Sequence, residues 1–214
     1  MSEVDAYFDS RLAYDKKRVV LWNTLCRHFF QKLLPSNASV LELGAGWCDF
    51  INTIEADQKT AVDIWGGIKK HANSDVRTII GSATDLDEVS SESIDMVFAS
   101  NLFEHLTQAQ IIEILTQTSR ILKKTGRLVL VQPNFRTSYK RYFDDYTHVT
   151  IWTDTGMTTF LEANGFQIEQ VQAKFLPLTV KSKLPTSSLL IRLYLRLPIK
   201  PLAGQMLIVA NPKS

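Results

Sequence analysis

The chain has 214 residues, 45% of them hydrophobic and 21% charged, a balance that fits one globular domain (1–214) with a sizeable core and excludes a disordered or fibrous protein. Its formal net charge of +2 is low for a protein organised around nucleic-acid phosphates, and its two cysteines, Cys26 and Cys48, carry neither a disulfide framework nor metal-ligand spacing. There is no basic-apolar-small leader over Met1 to Leu12 and no apolar run long enough to span a bilayer, so a cytoplasmic protein is expected.

In chain order, Tyr7 to Leu34 places Val19, Leu21, Trp22, Leu25, Phe29 and Phe30 at helical spacing and is closed by Pro35, which predicts an N-terminal helical cap over 1–36. Strands are then predicted at Val40–Leu43, Thr60–Asp63, Val76–Ile80, Ile94–Ala99 and Arg127–Gln132, separated by crossover-length segments. That alternation predicts a mostly parallel α/β sheet with helices on both faces, its core spanning 37–134. Thr107 and Gln110 form a capping box for a helix over Ala109–Lys123, with Gly126 as its stop. A helix near Thr155–Asn164 ends at Gly165, and two final strands follow at Phe166–Phe175 and Gln205–Asn211.

The stretch from Val40 to Phe50, with Glu42, Gly44, Ala45 and Gly46, is a buried strand running into a glycine turn that opens a helix. A second strand ends at Asp63, near the distance at which nucleoside-binding βαβ units set a carboxylate on ribose hydroxyls. A dinucleotide would need a glycine at Asp49 and a helix N-terminus free for pyrophosphate; Trp47, Cys48 and Asp49 oppose both. A phosphate-free, cationic nucleoside such as S-adenosylmethionine is compatible with Glu42 and Asp49.

On these residues the chain resembles the class I S-adenosylmethionine-dependent methyltransferases, a Rossmann-like family with a seven-stranded sheet containing one antiparallel strand. The first motif is Glu42-x-Gly44-x-Gly46, with Cys48 in place of the third glycine. The second is Asp63, the third Gly81 to Leu86, and the fourth Ile94 to Leu106. The resemblance implies S-adenosylmethionine as methyl donor, leaving S-adenosylhomocysteine. It implies a donor site of Glu42, Gly44, Ala45, Gly46, Asp63 and Ile64, with Ala83, Thr84 and Asp85 at the adenine edge and Ser100, Asn101 and Leu102 beneath the methionine portion. Glu42 is expected to hold the α-amino end, directly or through water, or else to cap the following turn. Arg18 stands where similar helices set a basic residue over the donor's carboxylate, a solvated surface arginine being the alternative.

The acceptor is expected between 135–153 and 176–204, which leave the sheet on the donor's side. The first segment carries Tyr139, Lys140, Arg141, Tyr142, Phe143, Tyr146, His148 and Trp152. His148 is the candidate general base, with loop stapling as its competing role. His28 and His71 are assigned structural or exposed roles, His105 a loop-orienting one, and no metal is expected. From Val171 onward the chain has cations but no Asp or Glu. Pro185 to Pro198 predicts a helix with Leu189, Leu193 and Leu197 on one stripe and Arg192 and Arg196 on another. It is expected to pack its leucines on the domain and aim its arginines at an anionic substrate; an interfacial helix on anionic lipid, giving peripheral membrane contact through 181–200, is compatible with this. The last third is similar to methyltransferases of bacterial cell-surface polysaccharide and glycolipid assembly. That likeness implies O-methylation of a small-molecule, glycan or lipid-linked acceptor. A non-catalytic donor-binding module and an RNA methyltransferase are the alternatives, although no stable nucleic-acid partner is expected.

Overall fold

The computed structural model describes residues 15–178 and 187–213. Seven strands form one sheet: β1 (Ser39–Leu43), β2 (Gln58–Asp63), β3 (Val76–Ile80), β4 (Ile94–Ser100), β5 (Leu122–Pro133), β6 (Phe166–Pro177) and β7 (Ala203–Pro212). Their spatial order is β3-β2-β1-β4-β5-β7-β6. The first five strands pair in parallel, and β7 runs antiparallel to both β5 and β6. The connection order reverses between β1 and β4, which opens a crevice at the carboxyl ends of those strands.

Both faces of the central strands are covered, so β1 is buried throughout, as is β4 up to its last residue, the polar Ser39, Glu42 and Asp95 included. One face is covered by α3 (Gln108–Ile121) and α5 (Asp154–Ala163), which bury Ile111, Ile114, Leu115, Met157 and Leu161. The Thr107–Gln110 capping box starts α3 as the sequence predicts. Its end differs: α3 stops at Ile121 and passes straight into β5, whose register slips between Ile94 and Met96 on β4, so Gly126 lies within the strand. There it approaches the Ile94 and Lys123 carbonyls so closely that a Cβ would stand 2.9 Å from each.

The opposite face is covered by α1 (Lys16–His28), a 3-10 turn (Phe30–Leu33) and α6 (Ser188–Arg196). Trp22 and Phe30 meet Phe50 and Phe98, whose rings stack at 3.7 Å, so the segment after β1 is clamped onto β4. The helix expected after Gly46 is replaced by consecutive tight turns. Glu42 Oε2 accepts the Ile51 amide (3.1 Å), which a continuous helix would direct to Trp47, while Asn52 is drawn to the His71 carbonyl and the Asn73 amide. The next two crossovers hold only α2 (Ile68–His71) and a helix-free loop. Segment 135–153 begins with α4 (Phe135–Ser138) and is anchored by the fully buried Tyr142, whose hydroxyl donates to the Thr150 carbonyl. Among the described residues no helix is long and apolar enough to cross a membrane.

Candidate active site

The glycine turn sits at the tip of β1 beside β4. Gly44 has φ +65°, and a Cβ there would lie 3.1 Å from Leu102 Cδ1, so a side chain would both strain the turn and collide with the loop after β4. Gly46 has φ +50°. Cys48, where the resemblance calls for a third glycine, adopts φ +59°: the glycine-like backbone is kept by a residue that pays for it in strain. Its buried thiol lies near the Gly46 and Ile68 carbonyls, and burial, then the Glu42 charge, push its pKa up to about 12, so it is an inert apolar filler.

Asp63 closes the turn. Its Oδ2 accepts the Gly46 amide and its Oδ1 the Trp65 amide, both at 2.8 Å, leaving each oxygen a second lone pair. Burial raises this carboxyl above its ordinary range against the pull of those two amides. Next to it Ile64 is 62% exposed, an apolar ledge at the strand tip. Glu42 lies below the turn, 4% exposed, and burial holds its pKa well above the carboxylate range. It therefore braces the turn through Ile51, the capping role that was the alternative expected of it.

Arg18 Nε donates to Asp49 Oδ2 at 2.7 Å, which ties α1 to the glycine loop. The arginine is thus neither a solvated surface residue nor, in this arrangement, directed at a carboxylate ligand. A cavity of about 410 Å³ between Val19, Trp47, Asp49, Asn52, Thr53 and His71 lies beside this clasp and touches neither Asp63 nor Ile64.

Ala83 packs against the core, the Thr84 and Ser82 hydroxyls bond at 2.7 Å, and exposed Asp85 caps its own turn through the Asp87 amide. Across the crevice, Asn101 has φ +51° and its Oδ1 accepts from Gln205 Nε2 at 2.9 Å. This contact joins the loop after β4 to the start of β7, a partnership that sequence spacing does not reveal. Ser100 lies beside it at the end of β4, its hydroxyl accepting from Asn101 Nδ2.

His148 does not stand alone. Its ring packs 4.7 Å from Tyr142 and 4.8 Å from His105, and Glu104, His105 and His148 each offer a ligand atom within 4.8 Å of the others. Burial raises Glu104 to about 8; burial and then the His148 charge lower His105 to about 4. This grouping is missed when the histidines are taken one at a time; the signal available was the adjacent Glu104-His105 pair in the loop after β4. Of the aromatic residues of 135–153, Tyr142 and Trp152 are buried framework, whereas Tyr139, Phe143 and Tyr146 are exposed.

The C-terminal helix departs from expectation. It packs Ile191, Tyr194 and Leu195 inward, while Leu189, Leu190, Leu193 and Leu197 are exposed by 43–63%. The leucine stripe thus faces away from the domain, because α6 meets α1 through its Ile-Tyr-Leu edge. Residues 181–186, part of the predicted contact segment, lie outside the described residues.

A glycine cradle, an acid at the tip of β2 and a β4 loop meeting at a sheet switch point define a nucleoside-dependent transferase architecture. A methyltransferase domain family model matches residues 14–171, and the chain belongs to that family as a class I S-adenosylmethionine-dependent methyltransferase. Its fold is similar to the methyltransferase in complex with the Trm112 methyltransferase activator of Haloferax volcanii (TM-score 0.72, 14% identity, 100% of this chain and 99% of that one). It is similar also to a SAM-dependent methyltransferase from Archaeoglobus fulgidus (TM-score 0.67, 20% identity, 98% and 100%). No curated protein matches the chain by sequence.

Proposed function

We propose that the protein methylates an oxygen of a glycan or lipid-linked acceptor, working at a membrane surface. The observation that carries this reading is the outward row of Leu189, Leu193 and Leu197, continued by Ile199 (78% exposed) and Leu202 (85%), beside the cations of α6 and α1. Partial desolvation and then the nearby charges of Arg192, Lys32, Arg196 and Arg27 depress the pKa of His28.

In this reading Gly44, Ala45 and Gly46 present backbone to the donor, and Asp63 accepts from its ribose hydroxyls through the remaining lone pairs. Ile64 and Ala83 flank the adenine, with Thr84 and Asp85 at its edge. Ser100, Asn101 and Leu102 support the methionine portion, and Glu42 acts from beneath by fixing the turn. The bound S-adenosylmethionine supplies a methyl group already activated by its sulfonium. The remaining task of the chain is alignment, worth about 7 kcal/mol or more for well-oriented reactants. Transfer breaks the carbon–sulfur bond and forms a carbon–oxygen bond; the electron pair stays on sulfur, giving S-adenosylhomocysteine, and the acceptor loses its proton. His148, in the cluster at the same end of the sheet, serves that deprotonation.

Incubation with methyl-labelled donor and fractionated cell extract tests the proposal. Label is expected in glycolipid or glycan fractions, in a bond stable to mild alkali where the acceptor is a hydroxyl. Label confined to water-soluble metabolites or RNA, or donor binding with no turnover on any fraction, overturns it.

A further inference from the structure

We infer that Glu104, His105 and His148 bind one divalent transition-metal ion on the acceptor side of the crevice. Two imidazoles and a carboxylate are the donor set of catalytic sites for zinc and related divalent ions, which leave positions open for water or substrate. The three candidate ligand atoms already lie within 4.8 Å of one another, so small side-chain adjustments bring them onto a common ion.

Glu104 supplies the independent sign. It is 1% exposed, and neither carboxylate oxygen is hydrogen-bonded to another residue among those described. Its contact with His105 Nε2, at 4.0 Å, is too long for a hydrogen bond. A carboxyl buried in this way without a partner side chain is costly unless a ligand satisfies it. The loop also presets the neighbouring imidazole. Thr147 Oγ1 donates to Asp145 Oδ1 at 2.6 Å, so its 2.9 Å contact with His105 Nδ1 makes that nitrogen the donor. Nε2 is then the nitrogen that carries the lone pair, 4.0 Å from Glu104 Oε1. The Asp145-Thr147-His105 chain is the outer support that orients metal-bound histidines elsewhere.

Glu104 and His105 lie two and three residues after Leu102, which stands against the glycine turn, while His148 belongs to the acceptor segment. An ion here staples the acceptor segment to the donor loop. With His148 engaged as a ligand, the ion takes over the deprotonation assigned to that histidine above: a hydroxyl bound at an open position has its pKa lowered toward neutrality, its proton leaving to water before the oxygen takes the methyl group. The acceptor-side role rests on the function proposed above; ion binding does not.

The test is titration of chelator-treated protein with Co²⁺, read by visible absorption, and with Zn²⁺ by calorimetry. One ion per chain is expected. Glu104→Gln and His148→Phe should each weaken binding by at least tenfold, and Thr147→Val by about ten- to a hundredfold. Calorimetry of the metal-free wild type with S-adenosylmethionine checks the donor site separately, so failure there leaves the metal result readable. Absence of saturable one-to-one Co²⁺ binding by the wild type overturns the inference, whatever the variants do. So does undiminished binding in a Glu104→Gln variant whose thermal melt matches the wild type.

Discussion

Asp63 has two duties that one substitution separates. Its carboxylate holds the Gly46 and Trp65 amides and, in the proposed complex, the ribose hydroxyls. Asp63→Ala should abolish measurable S-adenosylmethionine binding in calorimetry and, by orphaning two amides, lower stability by about 1–3 kcal/mol in denaturant titration. Retained affinity would strip Asp63 of the ligand role. Glu42 offers a test of sign. Burial raises its folded pKa well above the ordinary 4.5, so the protonated form is the one the fold favours. Its contribution is complete below that ordinary value and is lost as pH rises toward the folded pKa. Glu42→Gln keeps an acceptor for Ile51 without a charge, so the melting temperature of variant minus wild type should grow from pH 4.5 upward. A difference that stays flat with pH would mean that Glu42 ionises without penalty.

At the scale of elements, α6 makes the sharpest prediction. Its exposed leucines contribute nothing to the core, so Leu189→Glu with Leu193→Glu should leave the circular dichroism and melting point nearly unchanged. Binding to vesicles containing phosphatidylglycerol should fall at least about tenfold per leucine, given the transfer free energy of that side chain. Equal sedimentation of variant and wild type with such vesicles would end the membrane reading. This helix also marks where sequence reasoning stopped. Its existence and amphipathic stripe were legible from spacing, but which stripe faced inward depended on α1, an element far away in the chain. The strands were legible because each carries apolar and β-branched residues bounded by turn signals. The helix after Gly46 was not, because whether Glu42 would take the Ile51 amide is decided by burial. In the candidate site, the cradle and Asp63 were readable from local spacing, while the meeting of Glu104 with His148 depended on how 135–153 folds back.

For the whole molecule, donor binding at the switch point should couple to global stability, since the cradle is tied to α1 by Arg18, to β2 by Asp63 and to β7 through Asn101 and Gln205. At S-adenosylmethionine a hundredfold above its dissociation constant, linkage predicts about 2.7 kcal/mol of stabilisation, or roughly 5–10 °C in a thermal shift assay for a domain of this size. A shift near zero at saturating donor would contradict a preformed site in the folded chain. The exposed leucines and the acceptor segment also rise from one end of the sheet. A catalyst seated by that end meets its acceptor as a population spread over an area and its donor as a solute in the volume behind it. Its speed then follows how densely the acceptor is scattered over the lipid, and diluting the vesicles with inert lipid slows turnover even when the total amount of acceptor in the tube is unchanged.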